Sequence, residues 1–151
     1  MRFLFAAELR ESRTMNNLVQ FITAGNALFT LENTATGNRF TFRVRQPGDD
    51  KPHFVSVLTG ADNESDYTFL GTIFEGLRYR HGRRSAIAPT APSARAIDWL
   101  LRRLSKKADL PEIVRVCHCG KCGRCGRTLT VPESVDTGFG PECAKILKGG
   151  E

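Results

Sequence analysis

The sequence has few of the signals that identify an enzyme or a membrane protein. No stretch approaches the roughly 18 apolar residues of a membrane span, and the apolar start of the chain breaks at Glu8, too early for a secretory signal. The phosphate-binding patterns GxGxxG and GxxxxGK[ST] are absent. Acidic residues gather in GDDKPH (48–53) and DNESD (62–66), but both segments are typical of polar turns. We therefore expect a soluble, cytoplasmic protein without catalytic activity.

Acidic residues are scarce between residues 78 and 127. Residues 78–127 carry 13 Lys or Arg and three acidic residues, a local net charge of +10. The other 101 residues carry 9 basic and 13 acidic residues, a net charge of −4. Such concentrations are typical of proteins that bind phosphate backbones, because neutralised phosphates release counterions. A solvated basic face that keeps the protein soluble is the other interpretation. The candidate phosphate contacts are Arg78, Arg80, Arg83, Arg84, Arg102, Arg103, Lys121, Arg124 and Arg127.

Hydrophobic periodicity predicts an α+β fold with a mainly antiparallel sheet. A short helix is predicted over 15–24, where Leu18, Phe21 and Ile22 share one side. Two alternating runs flank a turn with Gly37 and Asn38, which is typical of a hairpin. The predicted strands are 27–33, 39–45, 54–59, 67–74 and 77–81.

One long helix, about 91–107, is predicted to cover the sheet. Thr90 and Ser93 are capping candidates at its start, and its apolar stripe consists of Ala94, Ile97, Leu100, Leu101 and Leu104. Trp99 lies off that stripe, on the side that carries arginines. An indole in this position can stack on a nucleobase; the alternative is that the cysteine-rich segment folds over it.

The cysteines are clustered rather than scattered. Four of the five lie in CHCGKCGRC, residues 117–125, and Cys143 follows in GFGPEC. Cys122 and Cys125 form a CxxC followed by glycine, the pattern of a zinc knuckle, and Pro141 suits the first turn of a terminal helix that would carry Cys143. Three metal ligands follow from this spacing. The fourth is open among Cys117, His118 and Cys119, because neighbours in sequence cannot all reach one tetrahedral ion.

The segment HCGKCGRCGRTLTVPESVDTGFGPEC resembles the C-terminal signature HxxxCxxCGRxLTxPESxxxGxGPxC of an uncharacterised zinc-binding domain family common in bacteriophages and bacteria. The similarity extends upstream to about residue 20. The resemblance implies His118, Cys122, Cys125 and Cys143 as the ligand set of one zinc ion, with Cys119 as the alternative to His118, and it implies phage or prophage origin.

These observations together predict an α+β domain over 1–110 and a small, treble-clef-like zinc knuckle over 111–151. A closed shell of four ligands leaves no open position for water, so the zinc is expected to be structural. The predicted function is binding of DNA or RNA, with Trp99 and the basic residues as contacts. Binding to a host protein, to redirect transcription or inhibit a defence system, is the alternative, since basic patches also suit acidic partners.

Overall fold

The computed structural model describes residues 7–8, 15–62, 65–118, 121–126, 139 and 141–148. None of the helices in these ranges is long and apolar enough to cross a membrane. The elements follow one another as β1 (Ala7–Glu8), α1 (Met15–Ile22), β2 (Asn26–Asn33), β3 (Arg39–Arg45), β4 (His53–Leu58), β5 (Tyr67–Phe74), β6 (Arg78–His81), α2 (Pro92–Ser105), β7 (Val114–His118) and α3 (Pro141–Lys148).

The strands form one sheet in the order β1-β7-β2-β3-β4-β5-β6, and each neighbouring pair is antiparallel. The predicted hairpin is confirmed, with Phe29 opposite Phe42 and a turn in which Gly37 has a φ of 79°. The next three predicted strands are confirmed to within a residue at each end. The mainly antiparallel α+β prediction therefore holds.

One face of the sheet packs against the helices and carries the apolar core, and we call it the inner face. Alternate residues of β2 and β3, such as Phe29, Phe42 and Val44, have no exposed surface. They join one apolar core with Val55 and Leu70 of the following strands. Successive side chains of a strand point to opposite faces of the sheet, so every second side chain of these strands lies in this core.

Two helices contribute to this core, and a single long helix that covers the sheet is not shown in the described residues. Helix α1 supplies three fully buried side chains, Leu18, Phe21 and Ile22. Helix α2 supplies the stripe predicted for it. Its start differs from the prediction, because Ala91 is the N-cap residue without a side-chain cap and Pro92 opens the helix, so neither Thr90 nor Ser93 is the cap.

Strand β7 lies inside the sheet between β1 and β2 and is absent from the predicted elements. Val114 and Val116 are buried on the inner face, and Arg115 on the other face forms an ion pair with Glu32 at 3.6 Å. A strand of five residues with two valines is too short for a distinct periodic signal. The division into domains 1–110 and 111–151 stays a prediction, but the second segment begins with a strand of the main sheet.

Candidate metal centre and the adjoining sheet face

The Sγ atoms of Cys122, Cys125 and Cys143 all lie within 4.8 Å of one another. Cys122 and Cys143 are buried and Cys125 is exposed. Cysteines 117, 122, 125 and 143 form no disulfide. Tetrahedral zinc with Zn–S bonds of about 2.3 Å needs sulfurs roughly 3.8 Å apart, so the three thiols fit one metal ion.

The turn over Cys122–Gly126 aims the first two thiols. The Gly126 N–H donates to the Cys122 carbonyl at 2.9 Å, and the Arg124 N–H donates to the Cys122 Sγ at 3.4 Å. Gly126 has a φ of +80°, which a residue with a Cβ adopts only under strain. An amide directed at sulfur stabilises the thiolate form that a metal requires. The CxxCG pattern thus has the local structure expected of a metal knuckle.

Cys143 comes from the first turn of α3, as predicted. The Arg124 guanidinium donates to its Sγ at 3.5 Å. Burial raises the pKa of the Cys143 thiol, and hydrogen bonds with Cys122 and Cys125 raise it further, although the Arg124 hydrogen bond acts in the opposite direction. The hydrogen bond to Cys143 raises the pKa of Arg124 in turn. A bound cation would favour the thiolates over the thiols.

The knuckle is attached to the start of β2 and to α1. The Asn26 N–H donates to the Gly123 carbonyl at 2.8 Å, and the Asn26 side-chain amide donates to the Arg124 carbonyl at 3.0 Å. A Cβ on Gly123 would lie 2.7 Å from the Phe21 ring. Phe139 packs against the same ring with centroids 5.7 Å apart. The centre is therefore part of the main core rather than a separate appendage.

The fourth ligand stays a prediction. His118 is fully buried at the end of β7, with its ring centroid 6.2 Å from that of Phe21, but it is not a member of the three-sulfur cluster. Cys117 is opposite Thr30 and, by strand alternation, points to the other face from His118. Cys119 lies outside the described residues.

The predicted phosphate contacts do not lie together on one surface. Arg78 and Arg80 are exposed on β6. Arg83 and Arg84 are exposed on the turn that follows, which is held by hydrogen bonds from Gly82 N to the Leu70 carbonyl at 2.8 Å and from Ser85 Oγ to the Phe69 carbonyl at 2.6 Å. These four arginines lie at one edge of the sheet.

Trp99, Arg102 and Arg103 lie on α2, which packs on the inner face. The Trp99 ring is half-buried, and the Arg103 guanidinium lies 5.5 Å from its centroid. Arg102 is paired with Asp98 at 3.2 Å. The tryptophan lines a groove of about 850 Å³. The described lining residues come from 31–40, 92–102 and 111–114, not from the cysteine-rich segment.

Two of the other predicted contacts, Lys121 and Arg124, lie in or next to the knuckle. Lys121 is half-buried beside the sheet, and Arg124 is directed at Cys143, so Arg124 serves the metal centre. Arg127 lies outside the described residues.

The face of the sheet away from the helices, which we call the outer face, carries basic and aromatic residues that the charge count over 78–127 missed. Directly paired residues share a face. The row across β3 to β6 is Arg45, Phe54, Thr72 and Arg80. In the next row Arg43 is opposite Ser56, which is opposite Phe69.

Two contacts between side chains lie on this face. The Arg43 guanidinium lies 4.2 Å from the centroid of the Tyr67 ring, a cation–π distance. The Phe54 and Phe69 rings have centroids 6.4 Å apart, and Phe54 and Phe74 are among the exposed large apolar side chains. Alternation in RFTFRVR is the sequence signal that separates Arg43 and Arg45 from the core.

Residues 115–148 match a family of unknown function, DUF6011. The matched segment begins in β7 and ends in α3, so it contains the whole three-cysteine cluster. No curated protein and no solved structure matches the chain. The chain thus carries a domain of unknown function with a candidate cysteine metal site.

Proposed function

We propose that the protein is a non-enzymatic nucleic-acid-binding protein, encoded by a phage or prophage and acting in DNA or RNA metabolism in the bacterial cytoplasm. The observation that supports this proposal is the outer face, where Arg43, Arg45 and Arg80 lie on the same face as the rings of Phe54, Tyr67 and Phe69. Guanidinium groups bind phosphates and aromatic rings stack on bases.

The charges of the outer face favour an anionic partner. Arg43 and Arg45 share this face two residues apart on β3. Burial lowers the pKa of Arg43, and the neighbouring charge of Arg45 lowers it further. Guanidinium groups nevertheless stay protonated at neutral pH. A phosphate placed between two such cations relieves their repulsion and releases counterions.

We propose a structural zinc ion at the cysteine centre, held by Cys122, Cys125, Cys143 and, following the resemblance, His118. Thiolates and imidazole are the ligands zinc prefers in structural sites. The ion would hold the knuckle against Phe21 and Asn26, and so fix one end of the sheet. A four-ligand shell has no open position for substrate, which supports a role without catalysis.

A host protein remains the alternative partner, and one observation favours it. The 850 Å³ groove beside Trp99 is lined partly by Ile113, which is 45% exposed. Exposed apolar residues next to tryptophan and arginine are common at protein interfaces. This groove lies on the α2 side, away from the outer face.

The test is fluorescence anisotropy of a labelled random oligonucleotide at increasing salt. Arg45→Ala and Arg80→Ala should each lower the magnitude of the slope of log affinity against log salt by about 0.7–0.9, the value expected for one lost phosphate contact. Arg95→Ala removes the same charge from the exposed side of α2 and should leave the slope unchanged. Equal effects of all three variants, or no binding at the lowest salt, would refute the outer face as the binding surface.

A further inference from the structure

A small concavity lies where the knuckle meets the outer face, and we call it the knuckle pocket. Its volume is about 170 Å³, and its lining includes Asn26, Arg43, Arg45, Tyr67, Lys121 and Gly126. The pocket is formed by three separate parts of the chain: β2 and β3, the start of β5, and the metal-binding turn. Two of the three cations, Arg43 and Arg45, come from β3, and the third, Lys121, comes from the segment before Cys122.

The chemistry of the knuckle pocket suits a phosphate group. Three of its residues are cations, and none of the described residues that line it is a carboxylate. The pocket is smaller than the roughly 300–1,000 Å³ of typical small-molecule sites. It is therefore large enough for a single anionic group but not for a whole cofactor.

The aromatic wall of the pocket adds a second kind of contact. The Arg43 guanidinium lies over the Tyr67 ring at 4.2 Å, so that a planar cation and a planar ring are held together. Unpaired bases stack on both guanidinium planes and aromatic rings. In a duplex the bases are stacked on each other and cannot reach such a surface.

We propose that the knuckle pocket binds a backbone phosphate of single-stranded nucleic acid, with an adjacent base stacked on the Arg43–Tyr67 pair. The inference rests on the proposed nucleic-acid function and names the substrate class within it. Lys121 immediately precedes Cys122, and Gly126 immediately follows Cys125. One wall of the pocket is thus held in place by the candidate metal centre, and single-strand affinity should fall when the metal is removed.

The experiment measures anisotropy of a fluorescein-labelled thymidine oligonucleotide, single-stranded and as the duplex with its complement. We expect the single strand to bind more tightly. Tyr67→Leu should weaken single-strand binding by about 5- to 150-fold, the range that corresponds to one stacked base. Tyr67→Phe keeps the ring and should bind like the wild type.

Lys121→Ala tests the phosphate contact, and it does so even if Tyr67→Leu fails to fold. It should lower the magnitude of the single-strand salt slope by about 0.7. Lys106→Ala removes an exposed lysine at the end of α2 and is the matched control, expected to leave the slope unchanged. Chelation of the metal should reduce single-strand affinity in the wild type more than in Lys121→Ala.

Two outcomes would overturn the inference in distinguishable ways. If wild-type protein binds nucleic acid but Lys121→Ala behaves as Lys106→Ala does, or the duplex binds as tightly as the single strand, the pocket is refuted while the proposed function stands. If wild-type protein binds neither form at low salt, both fail together.

Discussion

Deleting everything after Leu110 tests whether the cysteine-rich segment is part of the core. From the sequence alone, residues 1–110 are expected to fold without it. The structure leads to the opposite expectation, because the deletion removes β7 from between β1 and β2. Val114 and Val116 are buried, and burial of each valine contributes about 1.5–3 kcal/mol.

The deletion therefore costs about 3–6 kcal/mol from two side chains alone, against a total stability of about 5–15 kcal/mol for a typical domain. The loss of Phe139 from the ring of Phe21, and of the Gly123 carbonyl that accepts from Asn26, adds to this. Near-ultraviolet circular dichroism and urea unfolding of the shortened chain, beside a control chain ending at Lys148, are the assay. A cooperative transition with a midpoint close to that of the control would refute the reasoning.

Three further predictions concern the metal centre and the core. Gly123→Ala should destabilise the protein by about 1–3 kcal/mol in urea unfolding, since its Cβ would lie 2.7 Å from the buried Phe21 ring; an unchanged midpoint would contradict this packing. Elemental analysis should find about one zinc per chain. His118→Ala should make the bound zinc more sensitive to chelators than Cys119→Ser does. The reverse order would make Cys119 the fourth ligand. Burial raises the pKa of Tyr79 to about 12. The protonated phenol therefore stabilises the fold below about pH 10, and this contribution, about 1 kcal/mol for a half-exposed ring, is lost as the pH rises through 12. Tyr79→Phe should remove that part of the alkaline loss of stability, and a pH profile identical to that of the wild type would refute this prediction.

The strands and the main helix could be predicted because their signals are local. Alternation in RFTFRVR places Phe42 and Val44 in the core and Arg43 outside it, and β3 has exactly the predicted bounds. The CxxC spacing likewise predicts the tight turn at Cys122, and the proline before Cys143 predicts the start of the last helix. All three of these predicted metal ligands lie together in the structure.

The features that were missed depend on which strands become neighbours. The contact of Arg43 with Tyr67 crosses from β3 over β4 to β5, and the register between β4 and β5 shifts at Val55 and Ser56 of β4. No periodicity within one strand encodes that shift. The count of charge along the chain has a related limit, because it does not separate the arginines of β6 from those of α2, which lie in different layers.

The most direct test of the central claim is an NMR titration of ¹⁵N-labelled protein with a thymidine oligonucleotide. The account predicts that amide shifts concentrate on the outer face and the knuckle, at Arg43, Arg45, Phe54, Thr72 and Lys121, while the buried stripe of α2 stays unchanged. Shifts confined to α2 and the groove at Trp99, with the outer face unaffected, would contradict it.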